Sequence, residues 1–270
     1  MADPAVTYEM RDHVAYITLN RPEVRNALNP EAMVRLAEAW IEFDRNDDAR
    51  VAIVTGAGDQ SFCAGADLKR LIPLMTGARQ PEDEWDQRLM DDRSLGLTAL
   101  LRNYPLYKPV IAAINGYCLA AGTELVQATD IRIAAEHATL GLTEVKRGII
   151  PAGGGLVRLP RQIPFANAME VILVGDNITA AHAHRIGMVN YVVPQSELMA
   201  KAEEFAAKIA ENGPLAVRKA KEAVLRGLSL PLKEAERIEN EAVAQVMASE
   251  DAREGPRAFA EKRKPQYKGR

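Results

Sequence analysis

Lys108-Pro109-Val110-Ile111-Ala112-Ala113-Ile114-Asn115-Gly116-Tyr117-Cys118-Leu119-Ala120-Ala121-Gly122-Thr123-Glu124-Leu125 is the stretch that decides the fold. Residues 108–114 read as a short apolar strand, stopped by Asn115-Gly116, that can be buried on both faces. A turn of small residues follows, and a helix is expected to start near Ala120 or Ala121. The first N–H groups of such a helix lack intrahelical partners and sit at the positive end of its dipole. They suit an oxygen that becomes negative during a reaction. Taken alone, an apolar strand and a small-residue turn are more often packing than catalysis. Glu124 sits among alanines, Gly122, Thr123, Leu125 and Val126, so an exposed position is disfavoured. A carboxylate in apolar surroundings costs free energy unless partnered, and its pKa rises towards neutrality, where acid–base work is efficient.

Working outward, the same alternation recurs. Upstream, Val51-Ala52-Ile53-Val54-Thr55 reads as another buried strand, ending in Gly56-Ala57-Gly58-Asp59. Behind it, Ser61-Phe62-Cys63-Ala64-Gly65-Ala66-Asp67-Leu68-Lys69 is a run whose small residues let a backbone approach a ligand with its N–H groups available. A tight strand-to-helix turn accounts equally for this run. Residues 6–10 and 14–19 form a hairpin pattern about Arg11-Asp12-His13. Asn29-Pro30 caps a helix that places Met33, Leu36, Ala37, Trp40 and Ile41 on one face. With a further strand at 131–134, the pattern predicts an α/β core whose strands are covered on both sides. Residues 71–101, rich in charge around Pro73, Gly77 and Pro81, predict a mobile lid or surface helix, with Trp85 shaping a nearby pocket. From Ser196 the pattern is helical, broken at Gly213-Pro214, Gly227 and Pro231, so an α/β unit over 1–195 and a helical region over 196–270 are expected. A second glutamate, Glu144, precedes Gly148-Ile149-Ile150-Pro151-Ala152-Gly153-Gly154-Gly155. Nothing in the spacing brings the two glutamates together, and either alone reads as a cap or a solvated charge.

Composition narrows the function. The 270 residues are 47% hydrophobic, enough for one large domain with a sizeable core. A net charge of −3 and a pI near 5.9 leave no basic excess for a phosphate backbone, which argues against a nucleic-acid binder. Cys63 and Cys118 lie among small apolar residues and read as buried, reduced thiols. His13 and His137 are isolated, and His182 and His184 have no further ligand nearby, so no metal is expected. Met1-Ala2-Asp3-Pro4-Ala5 lacks the basic and apolar regions of an export signal. The longest apolar run, 110–122, is interrupted and too short to span a bilayer. A soluble cytoplasmic protein without a membrane partner is the expectation.

The order Phe62-Cys63-Ala64-Gly65-Ala66-Asp67, then residues 108–116, then Glu124 and Glu144 resembles the enoyl-CoA hydratase/isomerase (crotonase) family, its enoyl-CoA hydratases in particular. The resemblance runs from Leu19-Asn20-Arg21-Pro22 to Phe259-Ala260-Glu261-Lys262-Arg263, and the C-terminus resembles carnitinyl-CoA dehydratases. It implies a ClpP/crotonase fold: a repeated ββα core followed by an α-helical trimerisation region. It implies that the backbone N–H groups of Ala66 and Ala121 hold the thioester oxygen, and that Glu124 and Glu144 hold a water and add it across the double bond. Which glutamate is acid and which is base stays open. Arg25, Ala27, Ala64, Asp67, Leu68 and Lys69 would carry the CoA moiety of the substrate, with Phe259 and Lys262 reaching a CoA on a neighbouring subunit of a homotrimer or dimer of trimers. No cofactor beyond that CoA is implied. Ala121 and Ala152 stand where relatives commonly carry glycine, and the second is expected to crowd the water site. Hydration of a 2-enoyl-CoA is the leading expectation. Carnitinyl-CoA dehydration, enoyl-CoA isomerisation and, from another class, a non-catalytic acyl-CoA-binding scaffold are the alternatives.

Overall fold

Asp12 and His13 both adopt positive φ (48° and 66°), the geometry of a two-residue turn whose twist matches its flanking strands. They join β1 (Val6–Arg11) and β2 (Val14–Leu19), which pair antiparallel with Arg11 opposite Val14. This hairpin is the edge of the chain's larger sheet in the computed structural model, which describes residues 3–270; Met1 and Ala2 of the N-terminal reading lie outside them.

After the hairpin comes α1 (Pro30–Arg45), capped as the sequence predicts: the Asn29 side chain accepts a hydrogen bond from the Ala32 N–H, and Pro30 occupies the first turn. Three strand pairs then repeat one pattern. The pairs are β3 (Val51–Gly56) with β4 (Ser61–Cys63), β5 (Val110–Ile114) with β6 (Tyr117–Leu119), and β7 (Ile131–Ala135) with β8 (Thr139–Gly141). In each pair the first strand joins the large sheet, of order β1-β2-β3-β5-β7-β10, and the second joins a four-stranded sheet of order β4-β6-β8-β9. All neighbours are parallel except β1/β2 and β8/β9. The remaining strands are β9 (Ile178–Thr179) and β10 (Tyr191–Val193). Every residue of β5 is buried, which explains why it reads as a continuous apolar run rather than an alternation.

The crossings between sheets are pinned by side-chain amides and one glycine. Asn115 donates to the Gly56 and Gly58 carbonyls and accepts from the Gly56 N–H, while Asn26 donates to the Ala57 and Ser61 carbonyls. A Cβ at Gly116 would lie 2.1 Å from the Gln60 carbonyl oxygen, so only glycine lets these two turns pack.

Residues 71–101 hold three short helices, α2 (Leu71–Met75), α3 (Glu84–Asp91) and α4 (Ser94–Ala99). This segment is anchored rather than a free surface flap. Leu71, Leu74, Leu89 and Ala99 are buried, and the Ala99 carbonyl accepts from the indole N–H of the fully buried Trp40. Its charges are largely spent on each other: Asp86 is wholly buried and receives Arg79, Arg70 and the Glu82 N–H. Trp85 lies between the guanidinium groups of Arg35 and Arg88, at 4.5 and 5.3 Å.

The helices after α5 (Ala121–Val126) are α6 (Gly155–Gln162), α7 (Phe165–Val174), α8 (Ala180–Arg185), α9 (Leu198–Ala210), α10 (Pro214–Gly227), α11 (Leu232–Met247) and α12 (Asp251–Ala260). Of the helices after residue 196, α9 packs on β3, β5 and β7. By contrast, α10 and α11 pack against each other and bury no residue fully. No helix among the described residues is long and apolar enough to cross a membrane.

Candidate active site

A cavity of about 310 Å³ opens between the β4–α2 turn, α4, the N-terminus of α5 and the loop before α6. Its walls are mostly aliphatic, from Met33, Leu71, Ile72, Leu97, Leu100 and Ile149 among others. Glu124 and Glu144, 20 residues apart in the chain, both line it.

Local structure places two backbone N–H groups at this cavity. Leu28 bonds through its N–H to the Gly65 carbonyl and through its carbonyl to the Asp67 N–H. Ala66, between them, therefore turns its own N–H away from Leu28, in the sense of the parallel bridge the two residues form. Ala121 is the first residue of α5, where a helix N–H has no intrahelical acceptor. The two positions are drawn together at Gly65 (φ +99°), where a Cβ would meet the Ala120 Cβ at 2.8 Å and the Ala121 nitrogen at 3.6 Å. Any other residue at 65 would push the turns apart.

Backbone strain falls at Ala120, one residue before the alanine that sequence reading singled out. Its φ of 50° and ψ of −122° lie in a region that residues with a Cβ rarely occupy, at a cost of about 1–3 kcal/mol. The hydrogen bond from the Ala120 N–H to the Gly141 carbonyl holds it there. Nothing in the sequence around 120 signals this, since alanine gives no conformational warning.

Glu124 is 2% exposed, and one of its oxygens, Oε1, accepts hydrogen bonds from the Gly153 N–H (2.7 Å) and the Gly155 N–H (2.8 Å). Here lies the reason for Gly153-Gly154-Gly155. A Cβ at 153 would sit 2.5 Å from Leu100 and 2.8 Å from Glu124 Oε2, and one at 155 would sit 3.1 Å from Glu124 Oε1. Burial pushes the Glu124 carboxyl up from its ordinary value, opposed by these two N–H bonds and by Arg158 and Arg102. Arg158 is a residue that sequence reading missed. Its guanidinium donates to the carbonyls of Leu100, Leu101, Glu124 and Gly153, tying α4, α5 and the glycine loop to one point. Arg102 donates to the Ala152 carbonyl, and Ala152 itself lines the cavity.

Glu144 opens a 3-10 turn, Glu144–Arg147, closed by Gly148 in the left-handed region. It is 7% exposed, and its Oε2 is buried with no hydrogen-bond partner among the described residues. Burial, helped by the negative charge of Glu124 and opposed by a bond from its own backbone N–H and by Arg147, pushes its carboxyl up to about 7. A buried oxygen without a protein partner facing a cavity is a natural seat for a water.

The other residues singled out from sequence are distributed more widely. Ala64, Ala66 and Leu68 line the cavity. Asp67 serves the turn: its carboxylate accepts from Arg21 and from the N–H groups of Lys69 and Arg70, and the N–H bonds and Arg21 hold it below the usual range despite burial. Lys69 is exposed, and Ala27 hands its carbonyl to Arg21. Arg25 lies in the left-handed region, gives its carbonyl to the Ala64 N–H and lays its guanidinium over Tyr117. Phe259, 87% exposed on α12, and Lys262 just beyond it line no part of the cavity. Trp85 does not line it either; the segment contributes Leu71, Ile72, Met75, Leu89, Arg93 and Leu97 instead. Cys63 and Cys118 are fully buried, and burial lifts the Cys63 thiol to about 12 and the Cys118 thiol higher still, so neither is a ready nucleophile. His184 Nδ1 contacts the Val189 carbonyl at the end of α8.

Comparison with known proteins agrees over nearly the whole length. Residues 9–270 match the family described as Enoyl-CoA hydratase/isomerase. The chain is 42% identical over 267 residues to Enoyl-CoA hydratase EchA19 of Mycobacterium tuberculosis, covering 99% of this chain and 97% of that one. It is 40% identical over 258 residues to a carnitinyl-CoA dehydratase of Salmonella enteritidis, covering 94% of each. Among solved structures, an enoyl-CoA hydratase of Bacillus anthracis superposes with a TM-score of 0.89 at 42% identity, covering 98% of this chain and all of that one.

Proposed function

This chain belongs to the enoyl-CoA hydratase/isomerase family, and from that premise we propose that it adds water, with syn geometry, across the double bond of a 2-enoyl-CoA thioester. One observation carries the reading: two buried carboxylates face one cavity beside two backbone N–H groups, and the charge of one raises the other. The thioester oxygen sits between the Ala66 and Ala121 N–H groups. Glu124, its Oε1 satisfied by two N–H bonds, is the ionised member and takes a proton from the water. The water oxygen bonds to C3, the π electrons move to the thioester oxygen as an enolate, and the two N–H groups stabilise that charge. Glu144 is the protonated member and delivers its proton to C2. A proton then passes from Glu124 to Glu144 to restore the starting state. The reaction asks for no cofactor besides the CoA of the substrate, whose carrier moiety would run over Ala64 and Leu68 towards the loops around Arg25, Ala27, Asp67 and Lys69.

Purified protein is expected to bleach the enone absorbance of crotonyl-CoA. Glu124→Gln keeps an acceptor for the Gly153 and Gly155 N–H groups and should still fold, yet lose activity by at least about 10²-fold. Glu144→Gln should do the same. Full activity in either variant would sink the mechanism.

A carnitinyl-CoA dehydratase reading predicts a seat for a quaternary ammonium. Such groups are held over aromatic faces, but among the described residues no Phe, Tyr or Trp lines this cavity, and its wall carries Arg93 and Arg147. Crotonobetainyl-CoA should therefore be a poorer substrate than crotonyl-CoA. An isomerase needs one base to carry a proton along the chain, so a second buried carboxylate raised to about 7 is more than that reaction requires. A scaffold that only binds acyl-CoA would keep two costly buried carboxylates without use; calorimetric binding with no turnover across varied enoyl-CoAs would favour it. For assembly we propose a homotrimer or dimer of trimers, supported by the exposed Val224, Leu225, Leu228, Leu232, Val243 and Met247 on and around α10 and α11. In it Phe259 and Lys262 would meet a neighbour's CoA.

A further inference from the structure

Segment 70–102 carries five arginines, and four of them are engaged. Arg70 pairs with Glu82 and Asp83, Arg79 with Asp86, Arg88 with Glu38, and Arg102 with the Ala152 carbonyl. The Arg93 side chain makes no hydrogen bond or ion pair with any described residue. It is also one of only two cations on the cavity wall among the described residues, and the rest of that wall from the same segment, Leu71, Ile72, Met75, Leu89, Gly96, Leu97 and Leu100, is uncharged. The other cation, Arg147, is already committed: it donates to the Thr143 carbonyl and hydroxyl, and its charge acts on Glu144. The carboxylates of the wall are Glu124 and Glu144, both assigned to the chemistry. Arg93 is thus a solvent-exposed arginine on the lining of an aliphatic cavity, with no protein group paired to its side chain among the described residues.

We propose that Arg93 is a specificity residue that binds an anionic group at the far end of the acyl chain, so that the preferred substrates are 2-enoyl-CoA thioesters with a terminal carboxylate. This rests on the hydratase reading of the same cavity. A guanidinium matches a carboxylate with two parallel hydrogen bonds. Bordered by aliphatic side chains, the pair gains over the same pair in open water because the surrounding dielectric is lower. Arg93 is solvent-exposed, so a neutral acyl chain leaves it hydrated at modest cost and remains a substrate, only a less favoured one. The absence of aromatic rings from the wall fits the same sign preference, since nothing there compensates a cationic head group.

The test compares 2-enoyl-CoA thioesters of five to eight carbons bearing a terminal carboxylate with the methyl esters of the same acids. For wild type, the charged member of at least one chain-length pair should have kcat/KM about tenfold or more above its ester. In Arg93→Gln that ratio should fall to about one or below, and Arg93→Lys should retain part of it. Raising salt should shrink the wild-type ratio and leave the Arg93→Gln ratio flat. Esters preferred at every length, or a ratio unaltered in Arg93→Gln, would overturn the proposal. Calorimetric binding of the same pairs separates the two claims. A carboxylate preference in Kd that depends on Arg93, without turnover of any member, would leave the anion site standing and remove hydration. Turnover with no preference in either kcat/KM or Kd would do the reverse.

Discussion

Glu144→Gln should make the protein catalytically poor and, above neutral pH, more stable. Burial and the Glu124 charge lift the Glu144 carboxyl from 4.5 to about 7. Between those values the folded chain keeps a proton that the unfolded chain has released, so stability falls as pH rises through the window. Below 4.5 both states are protonated and the effect vanishes; above about 7 it is complete. At about 1.4 kcal/mol per pH unit, the ionised Glu144 costs the fold about 3 kcal/mol. Glutamine has no such dependence. The stability difference between variant and wild type should therefore shift by about 3 kcal/mol in the variant's favour between pH 4.5 and 8. For a chain of this size that corresponds to about 6–9 °C in melting temperature. Scanning calorimetry of both proteins at half-unit pH steps reads it directly. Melting curves that track in parallel across this range would show that Glu144 is not held in a costly, proton-retaining site.

The same carboxyl should govern activity. The kcat/KM for an enoyl-CoA is expected to decline above about pH 7 as Glu144 loses its proton, whereas a flat profile to pH 9 would remove it as the acid. Gly65→Ala puts a methyl group 2.8 Å from the Ala120 Cβ at a φ of +99°; separating the two N–H donors should lower kcat by about 10²–10³, and a loss under twofold would contradict the role of that contact. Ala120→Gly releases a conformational cost of about 1–3 kcal/mol and returns about 0.4–1 kcal/mol to the unfolded chain, for a net stabilisation of about 1 kcal/mol. A lower melting temperature for this variant would place the strain elsewhere.

Much of the fold was legible because burial writes itself into sequence. β5 reads as a strand because all five of its residues are buried, and α1 reads as a helix because Asn29 and Pro30 mark its start. What pattern cannot deliver is distance between separate elements. No spacing brings Glu144 to Glu124; a resemblance to known hydratases supplied that expectation, and the cavity between α5 and the glycine loop gives it a physical form. Polar segments mislead for a related reason. Residues 71–101 look like solvated surface, yet their charges neutralise one another around the buried Asp86 and leave an aliphatic face for the cavity. Trp85, conspicuous in sequence, is occupied by two arginines. Arg158 carried no signal at all, because four backbone carbonyls are invisible as partners until the loops that bear them have converged.

That guanidinium also bears on how such a protein could diversify. Arg158 grips Leu100 and Leu101 on one side and the carbonyls of Glu124 and Gly153 on the other. The variable wall of the cavity and its acid–base machinery therefore meet at a single post. Residues 71–99 could be exchanged for a differently shaped wall, with a new head-group partner in place of Arg93, while the chain re-enters the same four-carbonyl socket and the glutamate stays registered to its glycine loop. Such a joint lets substrate range drift without retuning the chemistry, and it locates the place where grafting a wall from a relative should be attempted.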